Sequence, residues 1–87
     1  MMPLNFAILK LFTDGREACP DEVIEALRPV YGGFKALNRK DVLTALMTAE
    51  SNGLLEESRF DLDDGGDVRL FFRANSDGLA AINRYIR

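Results

Sequence analysis

The chain has 87 residues, enough for one domain with one hydrophobic core. An apolar fraction of 47%, a charged fraction of 29% and a net charge of −3 describe an ordinary folded domain. With no His and a single Cys, Ser-His-Asp or Cys-His catalysis, His-ligated metal, structural zinc and a disulfide framework are all excluded. The cysteine count fits a reducing cytoplasm. Met1 to Phe12 is apolar but is broken by Asn5 and Lys10 and lacks a basic leader, so no signal peptide is expected. No run approaches the roughly 18 apolar residues of a membrane span. The expectation is one cytoplasmic domain over residues 1–87, without cofactor or membrane contact.

The first helix is predicted over Pro3 to Phe12, with Leu4, Ala7, Ile8, Leu11 and Phe12 at helical spacing and Phe6 and Leu9 as a second apolar flank. Asp14-Gly15 stops it. The second starts at Pro20, with Asp21 and Glu22 at the positive end of its dipole, and carries Val23, Ile24 and Leu27 inward. Pro29 is expected to end it within a residue, because the residue before a proline is pushed out of the helical region. Tyr31 and Phe34 flank a Gly32-Gly33 turn and plug an edge of the core. The third helix is predicted from an Asn38 cap through Arg39 to about Asn52, with Val42, Leu46 and Ala49 on its inner face.

After Gly53 the period changes to two. Phe60 and Leu62 alternate with Arg59, Asp61 and Asp63, and Val68, Leu70 and Phe72 alternate with Arg69, Phe71 and Arg73. A three-residue loop at Asp64 to Gly66 pairs Leu62 with Val68, Phe60 with Leu70 and Ser58 with Phe72 on one face. On the other it pairs Asp61 with Arg69, Arg59 with Phe71 and Glu57 with Arg73. Asp63 then faces Asp67 as a like-charge closing pair. A last helix begins at Asn75 or Ser76 and carries Leu79, Ile82 and Ile86, with Tyr85 beside them and Arg84 and Arg87 at its negative end.

Three helices, a two-stranded antiparallel hairpin and a C-terminal helix, in that order, form an α+β layout, that of a winged helix-turn-helix domain. The run VLTALMTAESNGLLEES followed by VRLFFRANSDGLAAI resembles the recognition-helix, wing and closing-helix region of PadR-like and MarR-like transcriptional regulators. The opening ILKLFTDGREACPDEVIEAL is similar to the start of the same domain, and also to the amino-terminal winged-helix domain of some restriction endonucleases. The resemblance implies that the third helix enters the major groove of double-stranded DNA while the wing touches the backbone or minor groove. Carried onto this chain, it makes Arg39, Lys40, Thr44, Met47 and Thr48 the contacts. Two departures stand out: the wing tip is acidic where the family's is commonly basic, and the chain has little beyond the core from which to build dimerisation helices.

Charge is unevenly distributed. From Arg28 to Lys40 the chain carries Arg28, Lys35, Arg39 and Lys40 with no acid, a patch suited to phosphates or equally to a solvated helix start. From Glu56 to Asp67 it carries six carboxylates against Arg59 alone. At ~0.1 M salt the two patches do not cancel over more than about 10 Å. Asp61 to Gly66 resembles the start of a calcium loop, but Gly65 and Phe72 stand where ligands are required, so a solvated hairpin tip is expected. Cys19 has no base beside it in sequence and reads as a small buried hydrophobe. No catalytic constellation appears. The leading expectation is a DNA-binding regulator, a homodimer through Phe6, Leu9, Ile82 and Tyr85. The alternative is a protein-interaction module that docks through its acidic wing or third helix.

Overall fold

A computed structural model describes residues 1–86; Arg87, predicted at the C-terminal end of the last helix, lies outside the described residues. The fold is α+β, with helices α1 (Leu4–Leu11), α2 (Pro20–Tyr31), α3 (Arg39–Ser51) and α4 (Ser76–Tyr85) and an antiparallel hairpin of β1 (Glu56–Leu62) and β2 (Val68–Arg73). A 3₁₀ turn over Phe12–Asp14 closes α1. Leu4, Ile8 and Phe12 recur every four residues, so they lie along one side of α1 and are buried. They meet Val23 of α2, Val42 and Leu46 of α3, Phe72 of β2 and Ile82 of α4 in one core. Among the described residues no helix is long and apolar enough to cross a membrane.

The helix starts follow side-chain chemistry. The Cys19 N–H donates to Glu22 Oε1 (3.0 Å) at the head of α2, the Asp41 N–H donates to Asn38 Oδ1 (2.9 Å) at α3, and the Gly78 N–H donates to Asn75 Oδ1 (2.8 Å) at α4. The end of α2 departs from expectation. Pro29 lies inside the helix, which runs two residues further to Tyr31. Tertiary anchoring outweighs the lost N–H: the Tyr31 ring is buried, its hydroxyl donates to the Met2 carbonyl, and Phe34 packs edge-on against it at 5.1 Å between centroids.

The hairpin register agrees with the predicted pairs from the tip as far as Arg59–Phe71, and Asp63 and Asp67 close the loop as expected. Asp63 Oδ1 accepts the Gly65 and Asp67 N–H groups (2.9 Å each), so one carboxylate of the like-charge pair organises the loop backbone. Gly66 completes the turn at φ +85°, in the left-handed region. Beyond Arg59 the predicted pairs fail. Ser58 is bulged out, Glu57 faces Phe72 and Glu56 faces Arg73. The bulge lets the Ser58 hydroxyl reach Glu17 Oε2 (2.6 Å) and puts Arg73 Nε 2.9 Å from Glu56 Oε1. Ala18 bridges the outer side of β2, exchanging both main-chain bonds with Phe72 (3.0 and 2.9 Å). Ile82 of α4 and Ile86 just after the helix turn inward, while Lys10 Nζ donates to Asn83 Oδ1 (3.1 Å) and to the Ile86 carbonyl (2.9 Å).

The exposed ion pairs give the fold a shallow acid sensitivity. Hydrogen bonding to Arg16 holds Asp14 below the usual carboxylate range, and Ser58 with Arg59 does so for Glu17, Arg73 for Glu56 and Arg69 for Asp61. A carboxyl whose folded pKa is depressed stabilises the fold above its unfolded value, near pH 4, and loses that contribution as pH falls through the folded value. The melting temperature is therefore expected to hold from pH 7 to about pH 5 and to fall below about pH 4. Thermal melts followed by circular dichroism check this; a midpoint that rises on acidification would contradict these pairings.

Candidate functional site

The basic start of α3 does not stand free. Arg39 forms a two-pronged pair with Asp21 of α2, Nε to Oδ1 at 3.0 Å and Nη2 to Oδ2 at 2.9 Å. That bond pushes the Arg39 pKa up, and the carboxylates of Asp63 and Asp67 add to it. Arg28 is likewise held by Glu25 at 2.6 Å. Lys35 and Lys40 form no ion pair among the described residues. The four cations predicted as one patch thus divide into two neutralised and two available. The acids that neutralise them, Asp21 and Glu25, precede the acid-free stretch, so a count along the chain does not see them.

The other predicted contacts also separate. The Thr44 hydroxyl donates back to the Lys40 carbonyl (3.0 Å). Thr44 and Thr48, with Asn52 at the end of α3, line a groove of about 310 Å³ between α1 and α3, and Asn5, Ile8 and Leu9 of α1 lie opposite. Met47 is exposed on the outside of α3. Of the residues assigned to a dimer face, Ile82 is corrected: it is 1% exposed and fills the core of its own chain, because α4 closes on α1 through that side. Leu9 is half-buried, and Phe6 and Tyr85 are exposed.

The feature that sequence reasoning missed is on the hairpin. Its two faces differ sharply. On one, the Arg59 guanidinium lies 3.7 Å from the centre of the Phe71 ring and also binds Glu17 (2.7 Å), and Asp61 accepts both Arg69 Nε (2.7 Å) and Arg69 Nη2 (2.8 Å). Phe71 is buried beneath this charged lattice. The opposite face carries Phe60 beside Leu70 and Leu62 beside Val68. There Phe72 is enclosed in the core and Leu70 packs partly against it, while Phe60, Leu62 and Val68 are 66%, 61% and 60% exposed. The reason is length. Val68 stands four residues, about 13 Å, beyond Phe72, so the tip overhangs the helices.

Below the overhang, between the hairpin and the starts of α2 and α3, lies a cleft of about 230 Å³. Cys19, Pro20, Leu43, Val68 and Leu70 supply its apolar lining, and Asp21, Arg39, Asp63 and Arg69 complete it. Cys19 is buried there, and burial pushes its thiol pKa up, so it sits as a neutral wall residue. The alternation of Phe60, Leu62 and Val68 is indistinguishable from that of core residues, and only the reach of the strands past the helices marks them as surface. Among the described residues no group of His, Cys, Asp and Glu could hold a metal ion. No protein-family model and no curated protein matches this chain.

Proposed function

We propose that the chain is a winged-helix domain used as a protein-interaction module, with the wing as its docking element. The element order supports the winged-helix assignment: three helices, a hairpin flanked by the Ala18 bridge, and a closing helix. One observation carries the choice of partner class. Arg39, at the position where a recognition helix would offer its leading cation, is bonded to Asp21 beside an acidic wing tip, while the apolar face of the same wing is left uncovered. Phosphates are repelled where apolar surface is offered.

DNA binding is the second reading, favoured by Lys35 and Lys40, which have no ion-pair partner among the described residues, and by the exposed outer side of α3. The two readings part on one titration. Fluorescence anisotropy with a mixed-sequence duplex at low salt is expected to show no binding up to about 100 μM protein, the weak end of non-specific affinity. The D21N variant, which releases Arg39, is expected to remain equally inert. Binding by the natural chain, tightened by D21N and weakened by salt, would transfer the assignment to a DNA-binding regulator. For the protein reading, a benzoylphenylalanine photocrosslinker at position 60 is expected to capture a partner that the same group at the exposed position 85 does not.

A further inference from the structure

The uncovered wing face adjoins a cleft of definite size whose own charged lining is balanced, Asp21 and Asp63 against Arg39 and Arg69, and it ends in an acidic tip; together they narrow what docks there. Resting on the protein-docking reading above, we propose that the cleft between the hairpin and the start of α3 receives a cationic peptide segment of a different protein. One bulky apolar side chain enters between Leu43, Val68 and Leu70, and flanking Lys or Arg residues meet the aspartates of the tip.

Size sets the first term. A volume of about 230 Å³ lies below the roughly 300–1,000 Å³ of pockets that enclose whole small molecules, so the cleft suits a side chain presented from a larger body. Phe60 and Leu62, exposed on the same face of the sheet, widen the apolar landing beside it.

Charge sets the second. Asp63, Asp64 and Asp67 form no ion pair among the described residues, whereas Arg39 and Arg69, the nearest guanidiniums, are bonded to Asp21 and Asp61. A second copy of this chain, docked face to face, would bring a second set of three aspartates against the first. Nucleic acid and anionic lipid carry the same sign as the tip. A cationic segment is the occupant that gains on both counts, since opposite charge speeds its approach and the apolar face retains it.

The test uses the full chain and a random twelve-residue peptide library displayed on phage. Enriched sequences are synthesised with a fluorescein label and titrated by anisotropy. Two variants at exposed positions, V68S and the double variant D64N/D67N, are compared after their circular dichroism has been matched to the natural chain. Enrichment of one bulky apolar residue close to Lys or Arg is expected. V68S should weaken binding at least fivefold, and D64N/D67N at least fivefold at 50 mM NaCl with a flatter salt dependence. Amide shift changes should centre on Leu43, Val68 and Leu70. No enrichment, or affinity unchanged in V68S, overturns the inference. Enriched peptides without cations that still lose affinity in V68S overturn it too, while leaving the docking reading intact. Failure of crosslinking from position 60 strikes that reading itself.

Discussion

Gly78→Ala is expected to destabilise the fold by about 3 kcal/mol, against the usual sign of such a change. Within a helix, alanine is favoured over glycine by about 1 kcal/mol, and Gly78 lies inside α4. The neighbour decides the outcome. A Cβ at Gly78 would stand 2.1 Å from the Leu54 carbonyl oxygen, 2.9 Å from its carbon and 3.3 Å from the Leu54 Cα. All three are backbone atoms of the segment that leads from α3 into β1, so no side chain can swing aside. Relief requires α4 to lift away from that segment. Lifting it draws Ile82 and Ile86 out of the core and strains the Asn75 cap, whose bond to the Gly78 N–H holds the helix start. For a domain of this size, 3 kcal/mol corresponds to a melting point lower by about 12–24 °C. Urea and thermal unfolding measure it. An unchanged or raised stability would mean that α4 does not rest on Leu54.

Gly78 also illustrates what a sequence conceals. The caps at Asn38 and Asn75 were legible because each acts within four residues of itself, and so were the inward faces of α1 and α3, which depend on helical period alone. The hairpin register was legible near the tip, where the loop length sets it. Features that depend on distant chain segments were not. Pro29 reads as a stop until Tyr31 is seen anchored to Met2, 29 residues earlier. Ser58 reads as one more paired residue until Glu17 supplies the acceptor that rewards a bulge. Arg39 reads as available cation until Asp21, eighteen residues earlier, closes on it. The same limit applies to the candidate site. Its residues were all visible, but whether Phe60, Leu62 and Val68 lie inside or outside depends on how far the hairpin reaches past three helices. Period two carries no record of that distance.

The attachment of that hairpin gives the second large effect. Phe72→Ala is expected to cost about 3–5 kcal/mol, the range for truncating a fully enclosed aromatic ring. Phe72 has no exposed surface, and it is the member of its face of β2 that is fully seated in the core: Leu70 is half-buried and Val68 is outside. Its main-chain bonds to Ala18 survive the substitution, so the loss reports the ring and the cavity it leaves. Against a total stability of about 4–13 kcal/mol for a chain of this length, that loss leaves a marginal fold. Val68→Ala, on the same face and strand, removes a mostly exposed side chain and is expected to change stability by no more than about 0.5 kcal/mol. Urea titrations of the two variants set the scale, and amide exchange along β2 locates the opening. Exchange should accelerate from Leu70 to Arg73 in the Phe72 variant, because the ring that pins the overhang to the helices has gone. Comparable costs for the two substitutions would mean that the hairpin is not seated through Phe72, and a cleft formed beneath it would have no fixed width with which to select a partner.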